Sequence, residues 1–183
     1  IVGSAHRLCH LNKCSSAGTF APCKNADILC AVSYHGECFL INTSEHKLTL
    51  PFVGYERDSY LIKAAFPRFG TGEGKCVIKD TVRGYDIFIL CDAFNYGVTY
   101  KMYGKEVPMS PDDHYADLKR IIAAIEGKAR RVSVIMPMLY EGRQHKKSTR
   151  ESLDCAVMLQ ELVAMGITNI ITFDAHDPRV CNA

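Results

Sequence analysis

No apolar stretch in these 183 residues approaches the roughly 20 that a membrane span needs, so no transmembrane segment is expected. The opening IVGSAHRLCH lacks the charged segment and long apolar core of a secretory leader. A formal charge of +2 leaves no general surplus of cations, which argues against a broad nucleic-acid surface; only the run at 143–150 is markedly basic. No internal repeat or low-complexity segment is present. Cysteine is abundant, yet no C-x-x-C pair with a matching second half exists. Cys9, Cys14, Cys23, Cys30 and Cys38 crowd the first 40 residues together with His6, His10 and His35, but without that spacing they read as incidental or buried thiols rather than a zinc site. Others, such as Cys91 after IFIL and Cys155, sit in apolar surroundings where cysteine behaves as a small hydrophobe. A reduced, cytoplasmic protein is the expectation.

What is there suits one globular domain with a sizeable core. Residues 1–60 are irregular and turn-rich, an N-terminal extension with room for short strands in ILCAVSY and CFLI joined by an HGE turn. From residue 61 the pattern becomes regular. Tyr85–Leu90 is a short apolar run after Arg83-Gly84, as a buried parallel strand would be. Ser110-Pro111-Asp112-Asp113 combines an N-cap, a proline at the first helical position and acids facing the helix dipole. Leu118, Ile121, Ile122 and Ile125 follow at helical spacing, and Gly127 closes the helix.

A strand is predicted over 132–138, with Pro137 near its end, and a second helix over Glu151–Met165. That helix would bury Leu153, Ala156, Leu159, Leu162 and Val163 and end at Gly166. A last strand spans 168–173. Strand, helix, strand, helix, strand with short connections predicts an α/β fold with an open, mostly parallel sheet and helices on both faces.

Ligands of such sheets bind at the carboxyl ends of the strands. That rule puts GRQHKKSTR at 142–150 on the same rim as Asp174, Ala175 and His176. Arg143 offers a planar fork to phosphate oxygens, and Lys146 and Lys147 act as point charges. A carboxylate and an imidazole beside them suit a polyphosphate and its metal. By composition alone, a short basic run is more often a solvated loop, and a lone strand-end histidine more often structural.

Four stretches tip that choice toward the functional reading. Arg68-Phe69-Gly70-Thr71-Gly72-Glu73, Thr81-Val82-Arg83-Gly84 before a strand, Arg143-Gln144-His145-Lys146-Lys147 after one, and Asp174-Ala175-His176 closing the last are in family order. Together they make roughly residues 61–183 resemble the ribose-phosphate pyrophosphokinases, or phosphoribosyl pyrophosphate synthetases, in a bacterial branch with an extended N-terminus. The resemblance implies a phosphoribosyltransferase-like fold and transfer of pyrophosphate from Mg-ATP to ribose 5-phosphate. It also implies a homo-oligomer with sites shared between domains and neighbours, and no nucleic-acid or membrane partner. It makes 61–183 the ATP-binding domain.

In that family Arg143, Gln144 and His176 would contact ATP, with Arg143 and His176 catalytic and Asp174 and His176 beside Mg²⁺. Phe69 would stack on adenine in a neighbouring subunit's site, with Thr71 and Glu73 reading the base edge. Thr81 and Arg83, with Lys146 and Lys147, would hold phosphate, the first two at a regulatory site. The sequence departs from the family at His145, where aspartate is usual, and at Gly70 and Thr71. The family's double-aspartate, Gly-rich loop that grips ribose 5-phosphate is absent, since Asp112-Asp113 starts a helix and the residues stop at Cys181-Asn182-Ala183. A truncated ATP-binding half, inactive alone, is therefore expected. A non-catalytic regulatory or assembly subunit is the alternative.

Overall fold

The computed structural model describes residues 2–3, 38–42, 61–177 and 180. Its centre is a five-stranded sheet in the order β1-β9-β8-β5-β2, and every pairing in it is parallel. The strands are β1 (Val2–Gly3), β2 (Cys38–Asn42), β5 (Asp86–Leu90), β8 (Arg131–Ile135) and β9 (Asn169–Ile171). Val132, Ser133, Val134 and Ile135 of β8 are all buried, so both faces of the central strand are covered, as a parallel sheet requires. The open parallel α/β sheet read from the sequence is present. Its last two strands are shorter than predicted because Pro137 cannot continue the ladder as a donor; its carbonyl instead accepts the amides of Phe173 and Asp174, both at 3.0 Å.

Helix α1 (Pro111–Ile125) starts as its sequence specifies. The Ser110 hydroxyl accepts the Asp113 amide at 3.1 Å while the Asp113 carboxylate accepts the Ser110 amide at 2.9 Å, a reciprocal capping box. Leu118, Ile121, Ile122 and Ile125 are buried against the sheet. The left-handed turn that ends α1 begins one residue earlier than predicted, at Glu126 (φ 54°), and continues through Gly127 (φ 65°).

Helix α2 (Asp154–Ala164) begins three residues later than predicted, at 154 rather than 151. The Glu151 carboxylate accepts the hydroxyls of Ser148 and Thr149, and this local turn competes with helix formation. The buried stripe is also rotated from the prediction. Cys155, Ala156, Met158, Leu159 and Leu162 are buried, whereas Val163 is 57% exposed and Leu153 only partly covered. The two helices lie side by side: the Tyr115 hydroxyl donates to Glu161 at 2.7 Å, and Lys119 pairs with the same carboxylate.

Two small antiparallel units were not read from the sequence. One pairs β3 (Ala64–Ala65) with β4 (Val77–Ile78). The other is a hairpin of β6 (Thr99–Met102) and β7 (Lys105–Pro108), turned through Tyr103 (φ 48°) and Gly104 (φ 78°). Two successive positive φ values are the hairpin-favouring mirror-image turn. The expected strand within 28–34 and, Cys38 apart, the crowded cysteines and histidines of the first 40 residues lie outside the described residues; β2 pairs in parallel with β5. Cys91 and Cys155 are buried free thiols, as expected. Among the described residues no helix is long and apolar enough to cross a membrane.

Candidate functional site at the carboxyl rim

Because β5, β8 and β9 are parallel, the segments after Leu90, Ile135 and Ile171 all emerge on one rim. The sheet ladder carries on slightly past them: the Cys91 amide donates to Ile135 at 2.9 Å and Met136 to Ile171 at 2.8 Å. A cleft of about 270 Å³ opens there. Phe94 comes to it from the β5 loop, Pro111 and Asp112 from the start of α1, Met138–Arg143 from the β8 loop, and Asp174 and His176 from the β9 loop. The rim predicted from sequence is therefore assembled, with Arg143, Asp174 and His176 lining a single cavity.

Its walls are fixed by backbone bonds between loops. The Leu139 amide donates to the Asp174 carbonyl at 2.9 Å, and Met138 and Asp174 form a parallel bridge. A Cβ on Gly142 would stand 3.0 Å from the Leu139 carbonyl oxygen, so a side chain there would push the β8 loop out of this tight turn by a few tenths of an ångström. The Asp174 carboxylate accepts the His176 amide at 3.0 Å, holding His176 at the left-handed φ of 58°. For a non-glycine residue that conformation is strained, and strain of this kind gathers at ligand sites. Beside it, the His145 Nε2 stands 3.4 Å from the Asp177 carboxylate, and the His145 and His176 rings lie 5.9 Å apart. Asp177 thus faces the β8 loop.

Three polar residues of the lining, Asp112, Tyr140 and Glu141, were missed. Tyr140 donates its hydroxyl to Asp112 at 2.5 Å and stacks on Tyr115 at 4.7 Å between centroids, bracing the cleft wall against α1. Burial pushes the Tyr140 hydroxyl well above its ordinary range, and the Asp112 carboxylate pushes it further. Glu141 is raised as well, first by burial and then by Asp154 and Asp112. Asp112 was accounted for by the helix dipole alone, and nothing local marks Glu141.

The remaining predicted residues are elsewhere or differently engaged. The Gln144 side-chain amide donates to the Ser152 carbonyl at 2.8 Å, and the Gln144 backbone carbonyl accepts the Cys155 amide at 3.3 Å, so it ties the basic loop to α2 outside the cleft lining. Lys146 and Lys147 are exposed and, with Arg143, make no ion pair among the described residues. Phe69, Thr71 and Glu73 sit on the β3–β4 loop, none of them lining the cleft. Phe69 is 54% exposed, and the Thr71 hydroxyl donates to Glu73 at 3.1 Å. Thr81 and Arg83 precede β5 and so lie at the amino rim, opposite the cleft; the Thr81 hydroxyl accepts the Arg83 amide at 3.4 Å.

Among the described residues no three histidine, cysteine or acidic side chains converge as a metal cage. The donors present suit Mg²⁺ of the kind held by one or two carboxylates, water and a substrate's phosphates.

Comparison with known proteins agrees with this architecture. The family model described as the N-terminal domain of ribose phosphate pyrophosphokinase matches residues 39–166, beginning within β2, ahead of where the sequence resemblance was placed. Ribose-phosphate pyrophosphokinase of Corynebacterium ammoniagenes is 25% identical over 120 residues, covering 64% of this chain and 33% of that one. The human phosphoribosyl pyrophosphate synthase-associated protein 1 is 27% identical over 110 residues, covering 60% of this chain and 27% of its own. The chain thus spans about a third of the length of such relatives. The solved phosphoribosylpyrophosphate synthetase of Mycobacterium smegmatis superposes with a TM-score of 0.59 at 19% identity, over 80% of this chain and 45% of that one, which shows a shared phosphoribosyltransferase-like α/β fold. With its match across most of the described residues, this chain belongs to the family of ribose phosphate pyrophosphokinase N-terminal domains.

Proposed function

We propose that the carboxyl-rim cleft binds the polyphosphate of Mg-ATP and that the chain is the ATP-binding half of a ribose-phosphate diphosphokinase. The observation that carries this reading is the convergence of Arg143, Asp174 and His176 on one cavity from two separate strand ends. In this reading residues 61–183 form the ATP-binding unit, and the extension 1–60 lends it β1 and β2.

Phosphoryl-type transfer asks mainly for positioned charge around the transferred group. Arg143, exposed at the cleft and without a carboxylate partner among the described residues, is available to a phosphate oxygen pair. His176 is held at a fixed backbone angle beside it and can donate to a neighbouring phosphate oxygen. Lys146 and Lys147, on the same exposed segment, would add charge when the loop lies over the nucleotide. Mg²⁺ would offset phosphate charge, carried in with the nucleotide and held through Asp174 and His176 directly or by water. Asp112 and Glu141 also line the cleft, where their charge would repel a misplaced phosphate and so orient the chain of oxygens.

Ribose 5-phosphate would be gripped by residues outside these 183, so the purified chain alone should make no phosphoribosyl pyrophosphate. A homo-oligomer and a cytoplasmic setting belong to the same reading. The alternative, a non-catalytic regulatory or assembly subunit, is favoured by the likeness to the human associated protein and by the departures at Gly70, Thr71 and His145. Calorimetric titration with ATP, with and without Mg²⁺, separates them. Binding that needs Mg²⁺ and weakens at least tenfold in Arg143→Ala and His176→Ala supports the catalytic half; absence of binding supports the alternative.

A further inference from the structure

The β6–β7 hairpin contributes nothing to the main core. Its strands alternate between exposed and partly covered residues, and Tyr103 at the tip is 77% exposed. An isolated two-stranded hairpin is marginal in water, so what its covered face packs against is informative. That face meets the 68–74 loop. The Tyr103 amide donates to the Gly70 carbonyl at 2.8 Å. The Arg68 guanidinium lies over the Tyr100 ring at 4.9 Å. Gly72 is pressed so closely on the hairpin that a Cβ would stand 3.0 Å from the Met102 sulfur and 3.6 Å from the Tyr100 ring.

The loop needs such support. Gly70, Gly72 and Gly74 give it a large conformational entropy to lose. Arg68 ties its start to α1 through Asp117 at 2.7 Å, but the bonds around its tip are short-range: Phe69 amide to Glu73 carbonyl at 2.7 Å, Gly72 amide to Phe69 carbonyl at 2.9 Å and Thr71 hydroxyl to Glu73 at 3.1 Å. An exposed phenyl ring on a floppy loop would spend its stacking energy on ordering itself. The hairpin's root is anchored in turn, since the Met109 amide donates to Val98 at 2.8 Å and the buried His114 Nε2 lies 2.9 Å from the Asn95 carbonyl.

We propose that the β6–β7 hairpin is the scaffold that holds the 68–74 loop in a base-reading shape, with Tyr100, Met102 and the Tyr103 amide as its positioning residues. The base-reading part rests on the ATP-binding function proposed above. The hairpin touches neither Arg143 nor His176, so it acts on recognition of the base and leaves the phosphate rim alone.

The full chain tests this with Tyr100→Ala and, as an independent variant, Met102→Ala, each removing one of the hairpin side chains against which the loop rests. Amide hydrogen exchange at Phe69 and Gly72 should accelerate at least tenfold in both. Mg-ATP affinity should fall to about that of Phe69→Ala, while affinity for Mg-tripolyphosphate, which has no base, stays within twofold of wild type. Unchanged exchange and ATP affinity in both hairpin variants, with Phe69→Ala weakened, would overturn the scaffold and leave the ATP reading standing. An unweakened Phe69→Ala would instead overturn base reading by this loop.

Discussion

Replacing Asp117 with asparagine should destabilise the fold by about 3 kcal/mol, the lower end of what breaking a buried ion pair costs. The Asp117 side chain is 4% exposed and accepts from Arg68 at 2.7 Å and Arg120 at 2.6 Å. Arg68 is itself 7% exposed, so once the carboxylate is gone its guanidinium has neither counter-charge nor water. Arg120 is 29% exposed and can turn to solvent, and asparagine keeps one acceptor, which holds the cost at that lower end. With a urea slope of about 2 kcal/mol per molar, typical for domains of this size, the midpoint should drop by about 1.5 M. Arg120→Ala, breaking only the more exposed arm, should cost less than about 1 kcal/mol. Urea unfolding followed by far-ultraviolet circular dichroism reads both. A midpoint shift under about 0.3 M for Asp117→Asn would show that Arg68 is solvated and that the tie between the 68–74 loop and α1 is not what the geometry indicates.

Other outcomes follow from single sites. Ser110→Ala removes half of the capping box and should cost about 1 kcal/mol by the same denaturation assay. Leu162→Ala, fully buried, should cost about 3 kcal/mol, whereas Val163→Ala, on the exposed face, should stay within about 0.5 kcal/mol. Glu141 has a folded pKa raised by burial and by Asp154 and Asp112, so the folded state binds more protons than the unfolded one between its ordinary 4.5 and the raised value. Stability should therefore fall as pH rises through that window. Glu141→Gln should raise the thermal midpoint at pH 7 and have no such effect below the ordinary value; equal effects at both pH values would contradict the assignment.

Helix α1 was legible because its start is written locally, in Ser110-Pro111 and the acids behind them, and its face in the spacing of Leu118, Ile121, Ile122 and Ile125. The parallel strands β5, β8 and β9 were legible as short apolar runs, and through them the rim that carries Arg143, Asp174 and His176, whereas β1 and the parallel pairing of β2 were not. The start of α2 was not, because Ser148 and Thr149 compete for Glu151, and helical spacing alone does not reveal that competition. The hairpin was overlooked although Tyr103-Gly104 between two β-prone runs is a turn signal. Tyr140 and Glu141 joined the site only through tertiary contact with α1, which no local pattern encodes.

The central claim is that the cleft between the β8 and β9 loops holds the phosphates of Mg-ATP. Calorimetric titration of Mg-ATP into the wild-type chain, Arg143→Ala and His176→Ala tests it most directly, with thermal midpoints confirming that each variant is folded. Saturable binding by the wild type and a loss of at least tenfold in each variant is the predicted result. Wild-type affinity in both folded variants would contradict it.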